Sequence, residues 1–203
     1  MYWQTIDKNR QDLLIKLSFL KEQGFYMAGG TALALQIGHR ESVDFDFYNE
    51  KEFNANNLVS EIKKFSKSLE IEIPDTYSVM GQVDGVKLSF FKYEYPMIDD
   101  FVVDKGINFA SLADIAAMKC IAIVQRGTKR DYVDMYFLNK MFGLKKIFKW
   151  VAKKYPMYDI YHIKTGLIYF AEAKSDVMPK MLLDCSWEKV KTELEKAVLK
   201  IDK

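Results

Sequence analysis

Two aspartates separated by one residue, Asp44 and Asp46, are the pair of side chains in this sequence best suited to chemistry. Val43, Phe45 and Phe47 alternate with them, which predicts a β-strand with an apolar face in the core. Side chains two apart on a strand point to the same face, so both carboxylates should project together. Neighbouring like charges repel and require compensation. Mg²⁺ is a suitable partner because it takes one or two carboxylates and completes its shell with water and phosphates.

A turn of three small residues, Gly29-Gly30-Thr31, precedes this strand. It follows an apolar strand at residues 25–28 and opens a short helical segment at residues 32–37. Glycine accepts positive φ and lets a ligand approach the backbone closely. The start of the helix offers free N–H groups and the positive end of its dipole to an anion. The turn, with the Thr31 hydroxyl, is therefore a candidate phosphate site.

The same residues could instead be a capped turn beside two solvated aspartates. That alternative leaves Arg40 and Ser42, which lie between the turn and the aspartates, without a role. A glycine pair, a short helix and a carboxylate pair on the next strand, in that order, resemble the signature of polymerase-β-type nucleotidyltransferases.

A lone lysine interrupts an apolar helix in the second half of the chain. Ser111-x-x-Asp114 is a capping box that opens this helix. Within residues 115–124, Lys119 is the one polar side chain, on the stripe that should be buried. An unpaired ammonium there would cost several kcal/mol. Lys119 either reaches solvent or pairs with a structural carboxylate, or it holds a nucleotide phosphate.

The next helix carries two acidic residues on one face. Thr128-x-x-Asp131 is a second capping box, so Asp131 has a simple structural interpretation. Asp134 lies in an apolar and aromatic run, three residues further along the same face. Either Arg126 or Arg130 satisfies Asp134, or this carboxylate orients a cation of the nucleotide site or assists catalysis. The cations considered are Lys119 and Arg40.

Charge and composition restrict the class of protein. The chain has 203 residues, of which 49% are hydrophobic and 14% aromatic, as expected of a folded protein rather than a disordered one. Residues 139–203 carry 14 lysines and 8 acidic residues, a net charge of +6, which suggests a polyanionic partner. One helix there could follow a nucleic-acid backbone or simply present a solvated face. Its lysines are Lys145, Lys146, Lys149, Lys153 and Lys154.

Several features predict a cytoplasmic protein with no membrane contact. Cys120 and Cys185 are isolated and without ligand spacing, which is typical of reduced core cysteines. The N-terminal residues are polar and charged, unlike those of a signal peptide. No apolar run approaches the roughly 20 residues of a membrane span.

The periodicity of the sequence predicts an α+β fold. Amphipathic helices are expected over residues 5–23 and 54–69. Asp84-Gly85 is a hairpin signal between two strands. We predict a nucleotidyltransferase core at residues 1–100, with a mixed sheet of about five strands and helices against it, followed by a helical domain at residues 101–203.

The specific motifs resemble those of the AbiEii/AbiGii toxin family of bacterial nucleotidyltransferases. The pattern GGT followed by HRxSxDxDFY leads to Asp114, Lys119 and an Arg-Gly-x-Lys-Arg-Asp-x-x-Asp run that ends at Asp134. The resemblance covers residues 25–138. It implies a polymerase-β-like core joined to a helical domain, in a toxin of a toxin–antitoxin or phage-defence system. Some members transfer nucleotides onto tRNA acceptor ends.

The resemblance also assigns roles. Asp44 and Asp46 would hold Mg²⁺ or Mn²⁺, and Lys119 and Asp131 would be further catalytic residues. Gly29, Gly30 and Thr31 would contact phosphate, and Lys119 would hold the nucleotide. Beyond what the resemblance implies, we also predict Arg40, Ser42 and Asp134 in the nucleotide site. The implied partners are an NTP substrate, an RNA (tRNA) or protein acceptor and a cognate antitoxin.

One departure from the pattern bears on activity. Polymerase-β-type enzymes carry a third carboxylate on a following core strand, where this chain has Ser89, with Lys87 on the same face. The leading hypothesis is a metal-dependent nucleotidyltransferase. A one-metal site stays open, as does a degenerate module of the same fold that binds nucleotides or a partner without turnover.

Overall fold

The computed structural model describes residues 1–201, which form two compact units. The first unit contains Met1–Ile37, Ser42–Pro96 and Asp100–Ala110. The second unit contains Gly38–Glu41, Met97–Asp99 and residues 111–201. No helix in the described part of the chain is long and apolar enough to cross a membrane.

A mixed sheet is the centre of the first unit. Its strands are β1 (Tyr26–Ala28), β2 (Phe45–Asn49), β3 (Leu69–Asp75), β4 (Ser78–Val83), β5 (Val86–Lys92), β6 (Val102–Asp104) and β7 (Ile107–Phe109). The strand order is β3-β4-β5-β2-β1-β7-β6. Strand β2 runs antiparallel to β1 and parallel to β5. The predicted α+β class is confirmed, with seven strands in the described residues where about five were expected.

The additional strands lie just beyond the predicted domain boundary. Strands β6 and β7 form a hairpin whose turn contains Lys105 at φ +46° and Gly106 at φ +78°. This pair of positive φ angles suits the right-handed twist of a hairpin. Strand β7 then pairs with β1 through Met27 and Phe109. The sheet unit therefore extends to Ala110, past the predicted division at residue 100.

The two faces of the sheet differ in character. Phe45, Phe47, Leu88 and Phe90 are buried on one face, as the alternation predicts. Val43 was also expected in the core, but this residue is 45% exposed because it precedes the first paired residue of β2. The opposite face carries the residues that alternate with the buried ones, and it presents the aspartates.

Three α-helices belong to the first unit and five to the second among the described residues. Those of the first are α1 (Lys8–Lys16), α2 (Gly29–Ile37) and α3 (Ala55–Lys63). Those of the second are α4 (Leu112–Arg126), α5 (Lys129–Phe142), α6 (Leu144–Lys154), α7 (Ile160–Leu167) and α8 (Trp187–Leu199). Helix α1 is shorter than predicted because the chain tightens into a 3₁₀ helix at Leu17–Lys21.

Helix α4 has the termini that its sequence predicts. Ser111 Oγ accepts a hydrogen bond of 3.1 Å from the backbone N–H of Asp114. Gly127 ends the helix in the left-handed conformation with φ +45°. At the start of α5 the predicted capping box does not form its side-chain cap. Thr128 Oγ1 instead donates to Asp131 Oδ2 at 2.7 Å.

Candidate active site

The aspartate pair lies at the start of β2 in the first unit. Asp44 precedes the strand by one residue, and Asp46 lies within it. Both residues are half-buried, whereas Phe45 between them is fully buried. Asp46 is opposite Ala28 of β1 and opposite Ser89 of β5. The alternation therefore presents both carboxylates on the face opposite the phenylalanine core, as predicted.

Gly29 brings the glycine turn against the Asp46 carboxylate. Its φ of +75° lies in the region that L side chains rarely adopt. A Cβ at this position would be 2.9 Å from Asp46 Oδ2. Only glycine therefore gives the backbone the required φ and leaves room for the carboxylate beside the first residue of α2.

Substitution of Gly29 by alanine tests this close approach. We expect Gly29→Ala to displace the Asp46 carboxylate and to lower the rate of nucleotide transfer below that of a control variant with the same loss of stability. The matched control is Gly85→Ala, because Gly85 has φ +78° and nothing within 4 Å of an added Cβ. Both variants should lose about 1–2 kcal/mol of unfolding free energy from the left-handed backbone. Equal transfer rates in the two variants would contradict a role for the Gly29–Asp46 contact.

Two hydroxyl groups fix the backbone that carries Asp44. Thr31 is 2% exposed, and its Oγ1 donates a short hydrogen bond to the backbone carbonyl of Asp44. Thr31 Oγ1 and Ser42 Oγ lie 2.7 Å apart, within hydrogen-bond distance. These contacts join α2 to the start of β2. Direct phosphate binding by Thr31 or Ser42 stays a prediction.

Ser89 occupies the position beside Asp46 on β5. The two residues are direct neighbours in the parallel register of β2 and β5, and Ser89 is 5% exposed. A neutral hydroxyl thus lies where a third carboxylate was considered. No group of three or more His, Cys, Asp and Glu side chains suited to a metal occurs among residues 1–201. The donor set of this site is two carboxylates.

Lys119 lies in a buried cluster of charges in the second unit. Its Nζ is 2.8 Å from Asp131 Oδ1 and 2.6 Å from Asp134 Oδ2, both on α5. Lys119 is 5% exposed and Asp134 is fully buried. The contacts correspond to the alternative in which Lys119 pairs with structural carboxylates. Its role in nucleotide binding stays a prediction.

Two residues of segment Gly38–Glu41 complete this charge cluster. Arg40 binds Asp134 in a bidentate manner, with Nε 2.7 Å from Oδ1 and Nη2 2.9 Å from Oδ2. His39 Nε2 lies 2.7 Å from Asp134 Oδ1. Asp134 thus orients both Lys119 and Arg40, one of the two arrangements considered from the sequence. We call His39, Arg40, Lys119, Asp131 and Asp134 the charge cluster.

The charge cluster holds its carboxylates ionised. Burial opposes ionisation of Asp131, but attraction to Lys119 and Arg126 outweighs it and lowers the Asp131 pKa to about 2. The pKa of Asp134 also lies well below its ordinary value, because Lys119 and Arg40 overcome the effect of burial. Burial would lower the pKa of Lys119, yet Asp134 and Asp131 raise it. Lys119 is therefore a stable cation between two anions.

His39 is the member of the cluster that sequence reasoning missed. Burial lowers its pKa, despite the opposing hydrogen bond and charge of Asp134. Since Nε2 faces a carboxylate, it carries the ring proton and donates. His39 Nδ1 is buried and has no hydrogen-bond partner among the described residues. The ring is therefore neutral at pH 7, and a second proton would have no acceptor.

This arrangement predicts a pH dependence of stability. The unfolded chain protonates His39 near pH 6.5 while the folded chain does not, so stability is full above pH 6.5 and declines as the pH falls below it. His39→Gln should flatten this decline when unfolding free energies are measured by urea titration between pH 5 and 8. The control is His162→Gln, because the His162 side chain is 76% exposed. An undiminished decline in His39→Gln would contradict the assignment.

A second buried ion pair corrects the interpretation of the basic helix. Lys154 Nζ lies 2.8 Å from Asp114 Oδ1, and both side chains are fully buried. Asp114 also accepts from the backbone N–H groups of Ile98 and Asp99 at 2.9 and 3.3 Å. Lys153 Nζ donates to the Ile98 carbonyl at 3.0 Å. Lys154 is thus a core residue that helps to fix segment Met97–Asp99, not part of a basic surface.

The predicted site residues fall into two groups. Gly29, Gly30, Thr31, Ser42, Asp44 and Asp46 belong to the first unit, and Arg40, Lys119, Asp131 and Asp134 to the second. Within each unit the contacts above bring the members together.

The burial of Lys154 could have been predicted from the sequence, since Ile147, Val151 and Lys154 lie on one helical stripe.

Comparison with known proteins identifies relatives of this chain. Residues 15–90 match the family model described as nucleotidyl transferase AbiEii toxin, type IV TA system. The chain is 39% identical over 181 aligned residues to the uncharacterized protein aq_aa25 of Aquifex aeolicus strain VF5, and the match covers 86% of each chain.

Two solved structures are similar in fold. A putative nucleotidyltransferase from H. pylori has a TM-score of 0.62 at 20% identity, over 97% of this chain and 96% of that one. MenT4, a nucleotidyltransferase toxin from Mycobacterium tuberculosis H37Rv, has a TM-score of 0.56 at 11% identity, over 93% and 80% of the two chains. At these identities the similarity establishes the fold, which is that of a nucleotidyltransferase.

Proposed function

Because the chain belongs to the nucleotidyl transferase AbiEii toxin family, we propose that it transfers a nucleotide from an NTP to the end of an RNA acceptor in a metal-dependent reaction. The observation that carries this proposal is the close approach of Gly29 to Asp46, where a Cβ would be 2.9 Å from Oδ2. It places the first residue of α2 directly beside the carboxylate that would hold the metal.

The residues present fit a divalent cation. Asp44 and Asp46 are half-buried on one face, and Mg²⁺ accepts two carboxylates when water and phosphate complete its shell. Asp44 and Asp46 would hold Mg²⁺ or Mn²⁺, which would supply electrostatic stabilisation of the charge that develops on the leaving pyrophosphate. Thr31 fixes the backbone that carries Asp44, and Gly29 leaves room for the Asp46 carboxylate beside the start of α2.

The start of α2 serves the triphosphate. The first N–H groups of a helix lack intrahelical acceptors and attract anions. Gly29 and Gly30 leave this backbone accessible to phosphate oxygens. The acceptor hydroxyl then gives up its proton to water and attacks the α-phosphorus, the bond from this phosphorus to the α,β-bridging oxygen breaks, and pyrophosphate leaves. In this proposal Asp44 and Asp46 hold the metal, while the start of α2 binds the pyrophosphate that leaves.

The charge cluster fixes the conformations of Arg40 and Lys119 within the second unit. Asp134 fixes Arg40, and Lys119 balances the charge of Asp131 and Asp134. The family resemblance assigns a nucleotide contact to Lys119 and a catalytic role to Asp131, and we predict from the sequence that Arg40 neutralises phosphate. We keep those roles as predictions, and the nucleotide-dependent melting experiment described in the Discussion tests the role of Lys119.

A second candidate function rests on Ser89. A hydroxyl beside Asp46 in place of a third acid supports a one-metal site, or a module that binds nucleotides without turnover. A turnover assay separates the two functions, because a degenerate module would bind NTP and release no pyrophosphate.

The family description also supports an antitoxin as the partner of this chain.

The test is incubation with each of the four α-labelled NTPs, Mg²⁺ and total RNA. We expect label in RNA with one preferred NTP, removed by nuclease and resistant to protease. Protease-sensitive label would assign a protein hydroxyl as the acceptor instead. NTP binding without label in either fraction would favour the degenerate module.

A further inference from the structure

Aromatic side chains continue the aspartate face of the sheet. Tyr48 follows Asp46 by two residues on β2, so the two side chains lie on the same face, about 7 Å apart along the strand. Phe91 is the direct neighbour of Tyr48 on β5, as Ser89 is of Asp46. The strand register therefore places an aromatic pair one step from the proposed metal site.

The rings are in continuous contact. Tyr26 stacks on Tyr48 with ring centroids 5.9 Å apart, and Phe91 lies 5.7 Å from Tyr48. Tyr93 lies 5.3 Å from Tyr48, and Tyr95 lies 5.2 Å from Tyr93. We call these five residues the aromatic row.

The aromatic row differs from the aromatic core of the same sheet. Phe47 and Phe90 stack on the opposite face and are no more than 1% exposed. In the row, Tyr26 is buried, Tyr48 and Tyr93 are half-buried, and Tyr95 is 38% exposed. Phe91 is also half-buried. Several rings of the aspartate face thus keep accessible surface.

We propose that the aromatic row stacks unpaired bases of a single-stranded RNA acceptor end, an inference that rests on the proposed function. Base stacking on aromatic rings is the common means of holding single strands, because every base has a π-face. One nucleotide occupies one ring surface, whereas the row offers several in succession from Tyr48 to Tyr95. This extent favours a strand over the single base of an NTP.

Lys87 adds a charge that suits the same ligand. It precedes Ser89 by two residues on β5, so it lies on the aspartate face, and it is exposed. A cation at one side of the aspartates and aromatic rings at the other match the alternating phosphates and bases of a nucleic-acid strand.

The test uses a short single-stranded RNA with 2-aminopurine at its 3′ end, in Mg²⁺ and without NTP. Stacking quenches the probe, and we expect quenching by the wild type. Tyr48→Leu and Tyr93→Leu retain apolar volume but remove the ring, and each should weaken binding roughly tenfold. Tyr77→Leu is the control. Tyr77 is 46% exposed, and its ring contacts Lys92. Because Lys92 is the next residue after Phe91 on β5, its side chain lies on the opposite face of the sheet from the aromatic row. The affinity of Tyr77→Leu should equal that of the wild type.

Two further measurements keep the outcome decisive. If Tyr48→Leu or Tyr93→Leu does not fold, Tyr95→Leu takes its place in the assay. Tyr95 is exposed, so its substitution should leave the melting temperature unchanged. Unchanged quenching in the leucine variants, or equal affinity for an abasic RNA, would overturn the proposal. Quenching of 2-aminopurine riboside triphosphate but not of the RNA would also overturn it, by assigning the row to the NTP.

The stacking assay is independent of turnover. A wild type that stacks RNA and transfers nothing would reject the proposed function and retain the aromatic row. A wild type that transfers nucleotide without quenching the probe would do the opposite.

Discussion

Lys119→Met is expected to lower the free energy of unfolding by about 3–5 kcal/mol, the usual cost of removing one partner from a buried ion pair. Methionine retains the length and apolar stem of lysine. The loss of the ammonium leaves Asp131 and Asp134 with one compensating charge fewer in a site where Lys119 is 5% exposed. For a chain of this size the melting temperature should fall by about 10 °C.

A double-mutant cycle identifies the cause of this loss. Lys119→Met combined with Asp131→Asn restores the charge balance and should recover part of the stability. Lys145→Met is the control, because Lys145 is exposed on α6 and its loss should be nearly neutral. A melting temperature of Lys119→Met equal to that of the wild type would contradict the structural role of the charge cluster.

The Lys119→Met variant also tests the predicted contact between Lys119 and the nucleotide. Melting curves with and without NTP and Mg²⁺ measure the stabilisation by bound ligand. If Lys119 binds phosphate, the shift caused by the nucleotide should be smaller in Lys119→Met than in the wild type. A lower melting temperature with an undiminished shift would reject the phosphate-binding role and leave only the structural one.

Asp46→Asn is expected to reduce the rate of nucleotide transfer roughly 10³-fold while the fold survives, because metal stabilisation of the transition state is worth several kcal/mol. Asparagine keeps the shape of the side chain beside Gly29 and removes its charge. Asp44→Asn should have a similar effect. Initial rates at saturating NTP and a melting curve for each variant provide the measurement.

A control carboxylate on the same sheet makes this result specific. Glu72 is exposed on β3, and its register opposite Met80 of β4 places it on the aspartate face. Glu72→Gln should therefore transfer nucleotide at the wild-type rate. Full activity in Asp44→Asn and Asp46→Asn would show that these aspartates are not the metal site.

The elements that could be predicted from the sequence are those with local signals. The Asp84-Gly85 hairpin and the Ser111 cap appear where short-range residue preferences place them. Strands β6 and β7 have only three residues each, too few for an alternating pattern to emerge. The turn at Asp104-Lys105-Gly106 is the remaining local signal for this hairpin.

Within the candidate site, pairings distant in sequence were the part that could not be predicted. The Asp44–Asp46 pair and its glycine turn follow from residue type and spacing. In contrast, Arg40 and Asp134 are 94 residues apart, and Lys154 and Asp114 are 40 apart. A buried charge indicates that a partner exists, but the folded chain decides which one. The sequence therefore predicted that Lys119 needs compensation without identifying both carboxylates.

Parallel reactions with α-labelled and γ-labelled NTP test the central claim most directly. The wild type is incubated with acceptor RNA, Mg²⁺ and one NTP labelled separately at the α- or the γ-phosphate. We expect α-label in the RNA, γ-label in released pyrophosphate, and loss of both products in EDTA. Label from the γ-phosphate in the acceptor, or α-label transfer that persists in EDTA, would contradict metal-dependent nucleotidyl transfer at Asp44 and Asp46.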